Sequence, residues 1–506
     1  METKKATEAA TKKIPVFING RAFESTARRW GPVYNPATGQ ETHRVPLGGA
    51  EDVASAVAAA RAAFPAWRAT SLARRTAIMF QIRQQLADHQ EDLARTVTRE
   101  HGKVLADAMG EVARGLENVE FACGIPQLLK GEYTEQASTD VDVYSIRQSL
   151  GVVAGVTPFN FPAMVPLWML SNAIAAGNTF VLKPSEKDPS ASVLLATLLS
   201  EAGLPPGVFN VVHGDREAVE ALAAHPDVSA VSVVGSTPVA RAIRRAAVAA
   251  DKRVQALGGA KNHLVVLADA DVEAAADGAV SAAFGSAGER CMAVSVVVAV
   301  DDIADALVAA IVARTRALRI GDGLDPASDM GPLVTREHRD RVAGYIEAGR
   351  RDGAAVVVDG REAPACEGPG FFLGATLLDH VTPSMACYRD EIFGPVLCVV
   401  RVHTLDDALA LVNDSPWGNG VALYTRDGGA ARRFQFEVLC GMVGINVPIP
   451  VPVGYHSFGG WKASLFGDTH IYGPDGVNFY TRRKVVTSRW PRAAADGVDL
   501  RFPGSE

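Results

Sequence analysis

The sequence is poor in the features that mark several functional classes, and each shortage excludes one of them. Cysteine is scarce: six residues in 506, at Cys123, Cys291, Cys366, Cys387, Cys398 and Cys440, with no CxxC pair and no histidine cluster at ligand spacing. Such scatter supports neither a disulfide framework nor a zinc site, so no metal is expected. Long apolar runs are missing as well. No stretch of eighteen uninterrupted apolar residues occurs, which removes the case for a membrane-spanning helix. Positive charge is in deficit, with 50 Lys and Arg against 57 Asp and Glu and a net charge of −7. That balance gives no electrostatic basis for binding nucleic acid or an anionic membrane. The triplet Arg482-Arg483-Lys484 reads as a solvated strand edge. Residues 1–13 carry Lys4, Lys5, Lys12 and Lys13 with no arginine and no apolar signal core. The expected setting is the reduced cytoplasm, and the expected partner is a small molecule.

What is present is the makeup of a soluble enzyme, 48% hydrophobic and 21% charged, long enough for two or three domains. Helical spacing of apolar residues runs from 50 to 125, for example Val53, Val57 and Ala60, or Val112, Leu116 and Val119. Alternation then takes over between 132 and 153, as in Val141-Asp142-Val143-Tyr144-Ser145-Ile146, which predicts strands and a projecting hairpin. Next come apolar strands at 151–158, 180–185, 209–214, 228–235 and 252–257, separated by helices at 164–176, 193–202, 217–224 and 240–249. Such a beat specifies a parallel sheet covered on both faces, with dinucleotides bound at the carboxyl ends of its strands. A second α/β series begins at 263–267, passes a helix ending near Cys291, and continues through a strand at 295–300 and a helix at 303–318. The two series meet near Gly258-Gly259. Residues 477–481 and 484–487 read as strands, and 491–506 as a loose tail.

Chemistry concentrates in four places. In Phe284-Gly285-Ser286-Ala287-Gly288-Glu289-Arg290-Cys291, small residues lead into one thiol flanked by a guanidinium. That context suits a nucleophile whose pKa the neighbouring cation draws toward neutrality; the competing reading is a buried cysteine acting as a small hydrophobe. Asn160, in Thr157-Pro158-Phe159-Asn160, closes the first strand of the sheet, where its amide can face an oxyanion or cap a helix. Lys183 and Glu186 stand at the end of the second strand, where a carboxylate accepts ribose hydroxyls and repels a 2′-phosphate, favouring NAD over NADP. Val234-Gly235-Ser236-Thr237 opens a helix that can face a pyrophosphate, although the Gly-x-Gly-x-x-Gly fingerprint is missing there.

These segments, with Leu257-Gly258-Gly259-Ala260-Lys261-Asn262-His263 and Glu391-Ile392-Phe393-Gly394-Pro395, occur in an order and at spacings that resemble the aldehyde dehydrogenase superfamily over nearly the whole chain. Within it, residues 441–452 and 467–484 look like the CoA-acylating methylmalonate-semialdehyde dehydrogenases. The resemblance implies an α/β fold of two doubly wound domains plus a β-strand oligomerisation flap. Residues 14–131 and 147–258 would form the NAD-binding domain, 259–455 the catalytic domain, and 132–146 with 474–495 the strands shared in a homo-oligomer, a dimer or a tetramer. It further implies Cys291 as nucleophile and Asn160 as oxyanion donor. Lys183 and Glu186 would bind the adenosine ribose, Ser236 the pyrophosphate and Glu391 the nicotinamide ribose. Thr157, Phe159, Lys187 and Gly258 resemble further NAD contacts.

Two departures bear on the subclass. Hydrolytic members carry a glutamate at the position that, aligned on Lys261, is Leu257 here, and leucine cannot activate water. Coenzyme A is therefore the implied acyl acceptor; a hydrolytic semialdehyde dehydrogenase releasing a free acid is the alternative, against which Leu257 argues. Arg290, and Arg114 on the helix that lines the superfamily's substrate tunnel, suit a substrate with its own carboxylate. The competing reading of Arg114 is a surface pair with Glu111 or Glu117.

Overall fold

The structure, a computed structural model, describes residues 11–490. The tail at 491–506, including the end of the expected flap, and residues 1–10 lie outside the described residues.

Two large sheets carry the architecture. In the first, five parallel strands stand in the order Arg253–Leu257, Val228–Val234, Val152–Val156, Thr179–Lys183, Phe209–Val211. Antiparallel strands flank them: Leu465–Phe466 on one edge, Val16–Ile18 and Arg21–Phe23 on the other. The chain winds outward from Val152–Val156 in one direction and then returns to wind in the other, so the order reverses between Val152–Val156 and Val228–Val234. A crevice opens at such a reversal, outside the carboxyl ends of the strands, because the two following helices leave to opposite faces. Residues 157–160 and 235–236 therefore face one another across it.

Every residue of Val152–Val156 and Thr179–Lys183 is buried, as expected for strands covered on both faces. The helix Met164–Ala175 is apolar except for Ser171 and Asn172 and is buried along its length, and it packs on the helix Leu105–Cys123. Gly115 permits the crossing: a β-carbon there would stand 2.6 Å from Leu167 Cδ1. Each fully buried Leu or Val in this layer contributes about 1.5–3 kcal/mol of transfer free energy.

The second sheet has seven strands in the order Ala355–Val358, Thr376–Asp379, Val396–Val402, Val294–Val300, Asn262–Val266, Gly420–Tyr424, Met442–Ile445, all parallel except the first. The two sheets join through the short turn 258–261, where Gly258 N donates to Ser464 O at 2.9 Å. A third sheet pairs Tyr133–Ser138 with Val141–Ser149, and the latter with Thr481–Arg489 in a register running from Thr481↔Ser149 to Arg489↔Val141.

Three expectations need correction. Residues 477–481 were read as a strand, but Gly473–Phe479 is a helix and the strand begins at Thr481. Gly473, Gly476, Val477 and Phe479 are buried at helical spacing, and Gly476 brings the helix within 2.7 Å of Asn172 Nδ2, measured from where a β-carbon would sit. The stretch before residue 50, left without elements, forms strands from Lys12–Lys13 to Gln40–Pro46. These are short and largely polar, with little periodicity to read. The helix expected to end near Cys291 stops at Phe284, and a tight turn carries the chain on to the cysteine.

Candidate active site

That turn fixes the cysteine. After Phe284, Ser286, Ala287 and Gly288 take φ of 54°, 51° and 72° in succession, and a β-carbon on Gly288 would meet Gly394 O at 2.3 Å. Two non-glycine residues in the left-handed region are strained and persist only where surrounding contacts over-determine them. The contacts are visible one step on. The Cys291 carbonyl accepts from Asn262 Nδ2 at 2.8 Å and from Asn419 Nδ2 at 3.1 Å, and Asn262 also bonds Ala293 O at 2.9 Å. The thiol side packs against the apolar cluster that includes Met164, Trp168, Leu257, Phe458 and Tyr472, with Phe161 at its margin.

Burial pushes the Cys291 thiol up to about 12, with the charge of Glu391 adding to the rise. The sequence pointed the other way, toward a thiol made acidic by Arg290. The guanidinium is instead engaged elsewhere: Arg290 Nη2 lies 2.5 Å from Asp107 Oδ1, and its lowering effect on Cys291 is the weakest of those acting there. The alkylation rate of Cys291 in the free protein should therefore climb about tenfold per pH unit through pH 9, because only the thiolate reacts. Iodoacetamide labelling with peptide mass analysis checks this; a plateau below pH 8 would contradict it.

Asn160 lies in the loop after Val152–Val156 and is 3% exposed. Its side-chain amide has no hydrogen-bond partner among the described residues, while its carbonyl accepts from Lys103 Nζ at 2.6 Å. Glu391 lines the same cavity as Cys291 and Arg290. Its Oε1 accepts from Ala260 N at 2.9 Å, and its Oε2 occupies the space a β-carbon on Gly259 would need, 2.2 Å away. Burial lifts its carboxyl to about 7. Lys261 secures the same loop by bonding Cys387 O and Asp390 O, both at 2.8 Å. Leu257 is 3% exposed and Ala256 before it is fully buried, so the strand entering this turn brings no carboxylate of its own.

The cofactor candidates gather at the crevice. Thr157 Oγ1 is buried without a hydrogen-bond partner among the described residues. Ser236 caps the helix Thr237–Ala249 by position, yet its hydroxyl makes no capping bond and stays available. Gly258 leaves no room for a side chain, since a β-carbon would lie 2.8 Å from Ala463 O and 2.9 Å from Thr237 Oγ1. Lys183 Nζ lies 3.3 Å from Glu186 Oε2, with Glu186 the more exposed partner. Lys187 Nζ sits 4.4 Å above the Phe159 ring, which also meets Phe393 edge-on at 5.7 Å. An orphaned hydroxyl, an uncapped helix N-terminus and a turn closed to side chains fit a dinucleotide.

The two arginines each hold a carboxylate of the protein, Arg290 that of Asp107 and Arg114 that of Glu117. Arg114 is exposed and pairs with Glu117 at 3.0 Å, whereas Glu111 is fully buried and pairs with Lys103 at 2.7 Å. Sequence reasoning missed Lys103, Glu111 and Asn419, and also the buried Glu289, whose carboxyl burial raises to about 8 and which lies 3.3 Å from His338 Nε2. For Lys103 no local signal existed: it stands in the loop between Gly102 and the helix that begins at Leu105, where a lysine is ordinarily exposed, and only its pairing with Glu111 buries it.

Known proteins resemble the chain along nearly its full length. The profile of the aldehyde dehydrogenase family matches residues 23–486. A malonate-semialdehyde dehydrogenase of Pseudomonas aeruginosa is 55% identical over 490 residues, 96% of this chain and 98% of the relative. Malonate-semialdehyde dehydrogenase 1 of Geobacillus thermodenitrificans is 50% identical over 94% of this chain and 98% of its own. Among solved structures, a Sinorhizobium meliloti protein described as a methylmalonate-semialdehyde dehydrogenase complexed with NAD superposes with a TM-score of 0.95 at 49% identity, covering 96% of this chain and 99% of that one. The methylmalonate-semialdehyde dehydrogenase of Oceanimonas doudoroffii gives 0.94 at 53% identity with the same coverage.

Proposed function

The chain belongs to the aldehyde dehydrogenase family, and from that premise we propose that it oxidises malonate or methylmalonate semialdehyde with NAD and passes the acyl group to coenzyme A, losing CO2. The observation that carries the choice of acyl acceptor is Leu257. Where a hydrolytic enzyme holds a general base, this cleft presents buried Ala256 and Leu257, so no base stands at that position, and the one carboxylate lining the cavity among the described residues, Glu391, is bonded to Ala260 N and assigned to the nicotinamide ribose. A thiol ionises more readily than water and needs less help.

In this reading Cys291 adds to the aldehyde carbon, and the Asn160 amide with the Cys291 backbone N–H holds the oxyanion. The two carboxamides on the Cys291 carbonyl fix the peptide that follows the cysteine and so anchor its Cα. NAD, held by Thr157, Phe159, Lys183, Glu186, Lys187, Ser236, Gly258 and Glu391, accepts the hydride. The Cys291 thioester then carries a carboxylate β to its carbonyl; loss of CO2 leaves an enolate stabilised by the thioester, which takes a proton. Coenzyme A thiolate attacks the carbonyl, Cys291 departs as thiolate, and acetyl-CoA or propionyl-CoA is released. The test is a panel of semialdehydes incubated with NAD and coenzyme A, with the acyl-CoA products read by mass. Free acid as the sole product would exclude the reading.

The substrate carboxylate is assigned to Arg290 and Arg114, displacing their present partners. An exposed pair such as Arg114–Glu117 is worth about 0.5 kcal/mol, so exchange costs little. Arg114→Ala should raise the KM for malonate semialdehyde about tenfold or more and leave the kinetics of propanal unchanged. Equal effects on both aldehydes would remove the assignment. We further read the sheet of Tyr133–Ser138, Val141–Ser149 and Thr481–Arg489 as a contact between copies in a cytoplasmic dimer or tetramer, since it leaves Tyr133 and Val485 exposed.

A further inference from the structure

We propose that Lys103 and Glu111 act as a pair of positioning residues for the oxyanion-binding amide of Asn160. The inference rests on the reading of Asn160 given above. Both side chains are wholly buried, with Lys103 Nζ 2.7 Å from Glu111 Oε2. Desolvating two charges costs more than their attraction usually returns, so an enclosed pair persists only where further hydrogen bonds complete both groups. Here those bonds all go to one stretch of chain. Lys103 Nζ donates to Asn160 O at 2.6 Å and lies 4.3 Å above the Phe161 ring. Glu111 Oε1 accepts from Ala163 N at 2.8 Å and Met164 N at 3.1 Å, free N–H groups at the start of the helix Met164–Ala175.

The backbone from 160 to 164 is thus held at both ends by one ion pair, with Glu111 on the helix Leu105–Cys123 and Lys103 in the loop that leads into it. Among the described residues, the Lys103 ammonium hydrogen-bonds nothing but Glu111 and Asn160. A neutral core of the same volume would support the fold as well, but it would leave the Asn160 peptide free to rotate. Rotation matters because a donor is useful only when it already points to where the oxyanion forms. With its carbonyl gripped from behind, the Asn160 side chain has a fixed root and an unoccupied amide.

The test is the variant Lys103→Met/Glu111→Gln, which removes both charges together and keeps an oxygen for the Ala163 and Met164 N–H groups. Its kcat for the semialdehyde should fall about 100-fold, the loss expected when a reacting group is misplaced by roughly an ångström. KM and the NAD dissociation constant, read by fluorescence, should stay within about twofold, since binding groups are untouched. Combined with Asn160→Ala, the double substitution should cause no further loss, because both act through one amide. Multiplying losses, or an unchanged kcat, would overturn the proposal. Should that variant not fold, Lys103→Arg keeps the charge with a broader head that cannot hold both contacts. An approximately tenfold lower kcat, again absent on the Asn160→Ala background, is then expected, and multiplying losses would again overturn it. A harmless Asn160→Ala would instead sink the reading of Asn160 itself, and the inference with it.

Discussion

Cys291→Ala is expected to lower NADH formation by at least ~10⁴-fold, because covalent catalysis leaves no partial substitute once the nucleophile is gone. The surroundings support an effect of that size. Two strained left-handed residues and two carboxamide bonds are devoted to placing this one residue, and its flank packs on an apolar wall that excludes water. Water reaching a bound aldehyde would find neither a base at Leu257 nor a substitute thiol. Removing a half-buried Sγ while keeping Cβ should disturb the fold little, so NAD binding should persist in the variant. Stopped-flow absorbance at the NADH band, with NAD affinity measured alongside, separates lost chemistry from lost structure. Retention of even a tenth of the activity would mean that Cys291 is not the nucleophile.

Asn160→Ala should follow, with a loss of about 10²–10³-fold in kcat, the range for deleting one oxyanion donor. The residue is 3% exposed, and its side-chain amide hydrogen-bonds nothing among the described residues while keeping contact with the cleft. An amide with no protein partner is free to donate when charge develops on the substrate oxygen, which is the condition for stabilising the transition state more than the ground state. The deficit should therefore appear in the burst rate of NADH and leave KM nearly unchanged. A rise in KM at constant kcat would move Asn160 to substrate binding.

Much of this site was legible in the sequence because the residues sit on local motifs tied to strand ends. Thr157 to Asn160 and Gly235-Ser236 follow buried strands, and the reversal of strand order places them across one crevice. What was not legible depends on burial, which is a tertiary property. Arg290 beside Cys291 suggested an acidic thiol, but Asp107, 183 residues away in sequence, takes the guanidinium, and desolvation then dominates. Glu111 looked like a surface partner for Arg114 at helical spacing. The packing of helix Leu105–Cys123 on Met164–Ala175 turns it inward to Lys103 and leaves Glu117 to Arg114. In the helix Gly473–Phe479, alternating apolar residues imitated a strand, and only the close approach of Gly476 to Asn172 shows why the backbone coils there.

The central claim is that the acyl group on Cys291 leaves to a thiol and not to water, and pre-steady-state NADH formation with coenzyme A omitted tests it most directly. The expected trace is a burst of one NADH per active site followed by a slope close to zero, with steady turnover restored on adding coenzyme A. A linear rate without coenzyme A, equal to the rate with it, would contradict the account.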